Sequence, residues 1–152
     1  MSKFTAFEHD GWQQAALAYE NGFLPLTRQA VEPLLDAAGV HAGVRHLDLA
    51  SGPGDVAGAA EARGAKVTGS DFAEAMLEIA GRRHPGVKFR QADAQALPFA
   101  DCSFDAVTMA FLLGHLADPD LGLREAHRVL ASGGAVADIQ AETGELPAEV
   151  EL

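Results

Sequence analysis

Apolar and polar positions along the chain fall into blocks that switch between a helical period and a strand period. Residues 12–20 (WQQAALAYE) and about 27–38 (TRQAVEPLLDAA) carry apolar positions at helical spacing. The second helix is predicted to be N-capped by Thr27, disturbed by Pro33 and stopped at Gly39. Residues 44–50 (VRHLDLA) read as a buried strand that runs straight into Gly52-Pro53-Gly54, and a helix follows to about residue 63. Gly64 ends it, residues 66–70 (KVTGS) give a second strand closing on Asp71, and residues 73–83 give a helix that stops at Pro85-Gly86. Residues 87–91 and 104–110 (FDAVTMA) are predicted as the third and fourth strands. A helix over 119–131 ends at Ser132-Gly133-Gly134, and residues 135–140 form a fifth, weaker strand.

Strands alternating with helices in this way predict βαβ units, hence an α/β fold with a mainly parallel sheet and helices on both faces. Right-handed crossovers favour the strand order 3-2-1-4-5. In such a sheet a ligand sits beyond the C-terminal ends of the strands, where the order reverses between strands one and four.

Composition narrows the function. With 152 residues, 48% of them hydrophobic and 22% charged, the chain suits one globular domain with a single core. No apolar run approaches the roughly 20 residues that span a bilayer, and the start lacks the plan of a signal peptide, so the expected location is cytoplasmic. The net charge of −11 speaks against nucleic acid and anionic membranes as partners. One basic cluster, Arg82, Arg83, His84, Lys88 and Arg90, reads as cations complementing a helix C-terminus. Cys102 stands alone, without disulfide partner or metal-type spacing, and no metal is expected.

The candidate chemistry lies on one edge of the predicted sheet. Asp48, Ala50, Ser51, Gly52 and Gly54 fall on the turn after the first strand, where glycines let backbone approach a ligand, although a tight structural turn has the same signature. Asp71 stands about 20 residues after Gly52 at the tip of the second strand, where a carboxylate can accept both hydrogen bonds of a ribose diol; a surface loop aspartate is the alternative. Asp93 and Ala94 follow the third strand, from which the carboxylate can accept from the exocyclic amine of an adenine. Together with Asp55, these acidic strand ends repel a diphosphate and suit a ligand bearing an ammonium and a sulfonium.

The blocks LDLASGPGDVA, VTGSDFAEAML, QADAQALPFADCSFDAV and HRVLASGGAV resemble, in order and spacing, the class I S-adenosylmethionine-dependent methyltransferases that act on small molecules. The resemblance covers roughly residues 12–140 and implies a Rossmann-like three-layer sandwich with N-terminal lid helices. It implies S-adenosyl-L-methionine as cofactor, with Asp48 and the 50–54 turn at its methionine end, Asp71 on the ribose, Phe72 and Met76 flanking the adenine, and Asp93 with Ala94 reading it. Ala110 and Phe111 take the place that borders the sulfonium, and Tyr19 the place of a residue folding over the cofactor, though a core tyrosine fits that position equally. Trp12 and Phe23 are lid residues on this view and core residues otherwise. His115 is a candidate general base, since imidazole titrates near neutrality, or else a histidine packed at a helix entrance.

The expected organisation is a single domain over 1–152, with N-terminal helices or lid over 1–40, the core over 41–140 and an acidic tail over 141–152. The expected activity is methyl transfer to a small organic acceptor. A cofactor-binding module without transfer is the second reading, and a nicotinamide-dependent oxidoreductase the third. Members of the family usually continue with strands six and seven, for which residues 141–152 leave no room. A homodimer through the strand-five edge is therefore expected to cover it.

Overall fold

The computed structural model describes residues 1–22 and 24–140, with the side chains of residues 17, 19–22, 24 and 26 outside that description. Five strands form one parallel sheet in the order β3-β2-β1-β4-β5: β1 (Arg45–Leu49), β2 (Lys66–Asp71), β3 (Lys88–Gln91), β4 (Phe104–Ala110) and β5 (Leu130–Ile139). The order matches the expectation from the βαβ pattern, and β1 and β4 are the neighbours between which it reverses.

Helices α3 (Val31–Ala37) and α4 (Asp55–Ala62) cover one face, where Leu34, Leu35, Val56, Ala57 and Ala60 pack on Val67, Ala106 and Ala137. On the other face α6 (Pro119–Val129) buries Ala126 and Val129 against Leu47, Leu49, Val107 and Met109. Helix α5 (Glu74–Arg83) packs on β2 and β3, and α1 (Lys3–Gly22) lies on α5 through Ala16, Met76 and Ile79. The strands that are covered on both sides, β1 and β4, are buried along most of their length. Among the described residues no helix is long and apolar enough to cross a membrane.

Four expectations change. Helix α1 begins at Lys3 rather than at residue 12, because the Ser2 hydroxyl accepts the N–H of Thr5 at 3.0 Å and so caps it. Thr27 is not the extended N-cap of a long helix: it is itself helical, with φ −67° and ψ −28°, at the end of α2 (Leu24–Thr27), and a 3-10 turn (Arg28–Ala30) separates α2 from α3. Pro33 then falls in the first turn of α3, where the missing N–H breaks no helical bond. Ser132-Gly133-Gly134 does not terminate α6; it lies inside β5 as a bulge, with Gly133 at φ +80° and the register slipping between Phe104 and Ala106. Residues 141–152 and Phe23 lie outside the described residues.

Candidate functional site

A cavity of about 630 Å³ opens beyond the C-terminal ends of β1, β2 and β4. Its floor is the turn after β1. Ala50 takes φ +54° and Gly52 φ +50°, the Ser51 N–H is held by the Ser70 carbonyl at 2.9 Å, and no atom lies within 4 Å of where a Cβ on Gly52 would project. That gap faces the cavity. Gly54, at φ +90°, does not line it. A Cβ there would stand 2.9 Å from the His84 ring, so this glycine serves the packing of α4 on α5.

Three carboxylates mark successive strand ends on the wall: Asp48 on β1, Asp71 on β2 and Asp93 just after β3. Asp48 is buried, and its Oδ1 accepts the Thr108 hydroxyl at 2.9 Å while Oδ2 has no hydrogen-bond partner. Burial pushes this carboxyl up to about 7, although Thr108 and the Ala57 N–H of α4 draw it down. Asp71 is no surface loop residue. It is buried at the end of β2, its Oδ2 accepts the Gly52 N–H and its Oδ1 the Ala73 N–H, both at 2.9 Å, and burial raises its carboxyl. Each carboxylate oxygen has two lone pairs, so both can still receive a ligand. Asp93 Oδ1 accepts the Gln95 N–H at 2.8 Å.

Phe72, Met76 and Ala94 border the same space, as do Ala110 and Phe111 on the β4 side. Phe111 is held at φ +59° by its N–H bond to the Ile139 carbonyl at 2.7 Å; such strain gathers at functional sites. His115, in a 3-10 turn (Leu113–His115), also lines the cavity. Its Nδ1 lies 2.8 Å from Glu8 of α1, and Trp12 packs edge-on against its ring at 5.2 Å. Trp12 thus stands on the cavity wall, while Tyr19 falls within α1 with its side chain outside the described residues.

The match to a family model described as a methyltransferase domain spans residues 47–137, more than half of the chain, and takes in the whole carboxylate-bearing edge. The chain belongs to the methyltransferase-domain family. Within it, this methyltransferase domain is 44% identical over 124 residues to a demethylmenaquinone methyltransferase of Clavibacter sepedonicus, covering 80% of this chain and 48% of that protein. To the enzyme of the same name from Thermus thermophilus it is 48% identical over 113 residues, covering 70% and 50%. The chain therefore spans about half the length of these curated relatives. Among solved structures, the [4+2]-cyclase SpnF superposes with a TM-score of 0.69 at 27% identity, covering 78% of this chain and 47% of the other. A SAM dependent methyltransferase from Aquifex aeolicus repeats the fold with a TM-score of 0.68 at 24% identity, covering 78% and 67%.

Sequence reasoning missed the roof of this methyltransferase domain's cavity. Gln29, Ala30, Val31 and Leu34 close it from above, and Arg28 reaches down to Asp55 at 3.0 Å. Arg83 is also more than a cation at a helix end: it donates to the Pro53 carbonyl and to Asp55 Oδ1, both at 2.9 Å, and so braces the floor turn. Burial opposes it, but the bonds from Arg83 and Arg28 hold the Asp55 carboxyl below its ordinary value. Asp55, a carboxylate just after the glycines, was the sequence signal that a cation would be drawn to this turn.

Proposed function

We propose that this chain binds S-adenosyl-L-methionine in the cavity and transfers its methyl group to a small organic acceptor. The observation that carries this reading is the fit of the cavity to the cofactor's charges. Asp48 Oδ2 and the Ser51 hydroxyl are buried on its wall without hydrogen-bond partners, ready for an ammonium and its neighbouring polar atoms. Asp71 and Asp93 stand where a ribose and an adenine amine would be received, with Phe72 and Met76 beside the base. The same acidity disfavours the diphosphate of a nicotinamide dinucleotide.

The bound cofactor supplies an electrophilic methyl on a sulfonium; the residues' tasks are alignment and exclusion of water. Ala110 and Phe111 would flank the reacting centre, and Trp12, Leu112 and Leu116 give the acceptor side apolar walls. On this reading His115 would take the acceptor's proton. Glu8 can only accept at Nδ1 when ionised, so the neutral ring carries its proton there and leaves Nε2 basic.

The relatives' names make a demethylmenaquinone-type ring the first acceptor to assay. Incubation with methyl-labelled cofactor should pass label to that acceptor or to another in a panel of small phenols, amines and carbon acids. Cofactor binding with no label transferred to any acceptor would favour a binding module instead. We place the protein in the cytoplasm, without nucleic-acid partners, and propose a homodimer along β5, one of the two edge strands among the described residues, whose Val136 is 38% exposed. Light scattering showing a monomer would remove the dimer.

A further inference from the structure

Beneath the cavity floor, β1 and β4 carry a chain of three buried polar side chains. His46 and Asp48 project from the same face of β1, and Thr108 is the register partner of Asp48 on β4. Thr108 Oγ1 donates to Asp48 Oδ1 at 2.9 Å, and His46 Nε2 lies 2.8 Å from the same hydroxyl oxygen. A hydroxyl has one proton; with Asp48 ionised that of Thr108 is taken by the carboxylate, so His46 donates from Nε2–H. Its Nδ1 is then bare, and it is buried without a partner. His46 and Thr108 are 0% exposed and Asp48 1%, so no bulk water substitutes for any link. Of its two unpartnered ends, His46 Nδ1 and Asp48 Oδ2, only Asp48 lies on the cavity wall.

We propose that His46 and Thr108 form a proton-ordering relay that presents Asp48 to the cavity as an acceptor for a ligand ammonium, which makes His46 a positioning residue for the cofactor's amino-acid end. This rests on the cofactor reading above. Burial holds His46 down to about 4, so the ring stays neutral across the physiological range and serves as an N–H donor to Thr108 when Asp48 is ionised. Its hydrogen bond polarises the Thr108 hydroxyl toward Asp48. Asp48 itself sits near neutrality, so a small loss of support returns it to the protonated form, which cannot receive an ammonium. The charged groups facing it are Asp71 from β2 and Asp55 from α4, both of which raise it. On α3, Glu32 and Asp36 are paired with Arg63 at the surface, and β4 brings only Thr108.

The test compares two probes by calorimetry across about pH 6 to 8: S-adenosylhomocysteine, and 5′-methylthioadenosine, which keeps the adenosine thioether but has no amino-acid end. His46→Leu and Thr108→Val should each weaken S-adenosylhomocysteine by about tenfold, the scale of one buried hydrogen bond. The double variant should be no weaker than Thr108→Val, because the links act as one unit. Binding of 5′-methylthioadenosine should stay unchanged, the pH midpoint for S-adenosylhomocysteine should move up, and His46→Gln and Thr108→Ser, which keep a donor, should recover most of the affinity. Wild-type affinity in His46→Leu, or an equal loss for both probes, overturns the relay alone. Wild-type protein that binds neither probe overturns the cofactor reading and the relay with it.

Discussion

Asp71 Oδ2 accepts the backbone N–H of Gly52 at 2.9 Å, so a carboxylate at the end of β2 holds the turn that follows β1. Its other oxygen closes the turn into α5 through Ala73. Asp71→Ala should therefore do two things: lower stability by about 1–3 kcal/mol, the cost of leaving buried donors unpaired, and weaken cofactor binding by a similar amount. Urea denaturation and calorimetry measure the two separately. Stability equal to wild type would mean that the turn does not depend on this carboxylate.

Gly52→Val should abolish binding of S-adenosylhomocysteine. The residue sits at φ +50°, which a β-branched side chain resists, and the side chain would project into the open cavity. Retained affinity in a folded variant would show that the turn does not touch the ligand.

Arg83→Met keeps the aliphatic stem but removes the bonds to the Pro53 carbonyl and Asp55. A loss of about 1–3 kcal/mol is expected from charged, partly buried hydrogen bonds. The pH dependence supplies a second readout. Asp55 is held below its ordinary value, so its contribution is present at neutral pH and lost as the pH falls. In the variant that acid-side loss should shrink; identical acid titrations would contradict the brace.

His46 and Asp48 give opposite slopes of stability against pH. The folded chain keeps a proton on Asp48, up to about 7, that the unfolded chain has lost, so this contribution fades as pH rises toward neutrality. The folded chain excludes a proton from His46, down to about 4, that the unfolded chain holds, so this contribution grows as pH rises from about 4 to the ordinary histidine value of 6.5. The two offset each other over the shared range. His46→Leu removes the second, and its stability relative to wild type should fall steadily as the pH rises from about 4 to 6.5. Asp71 is also raised by burial but acts alike in both proteins. Parallel stability curves would contradict the assignment.

The sheet order was legible because local chemistry bounds three of the five strands: Gly52 and Gly54 after β1, Gly64 before β2, Pro85-Gly86 before β3. Most of the cavity wall followed, since the residues after parallel strands share one edge. What escaped depends on contacts between distant segments. The Glu8–His115 pair joins α1 to the turn after β4, and the roof residues after Thr27 meet the floor only through the fold. Gly133 read as a helix stop because a bulge and a stop call for the same backbone freedom. His46 passed as one more position in a buried strand until the register of β1 and β4 placed it beside Thr108.

The most direct test of the central claim is a calorimetric titration of the full chain with S-adenosylmethionine, S-adenosylhomocysteine and NAD in parallel. Saturable binding of both sulfur ligands at one site per chain, with no heat from NAD, is the predicted result. Binding of NAD while neither sulfur ligand binds would contradict it.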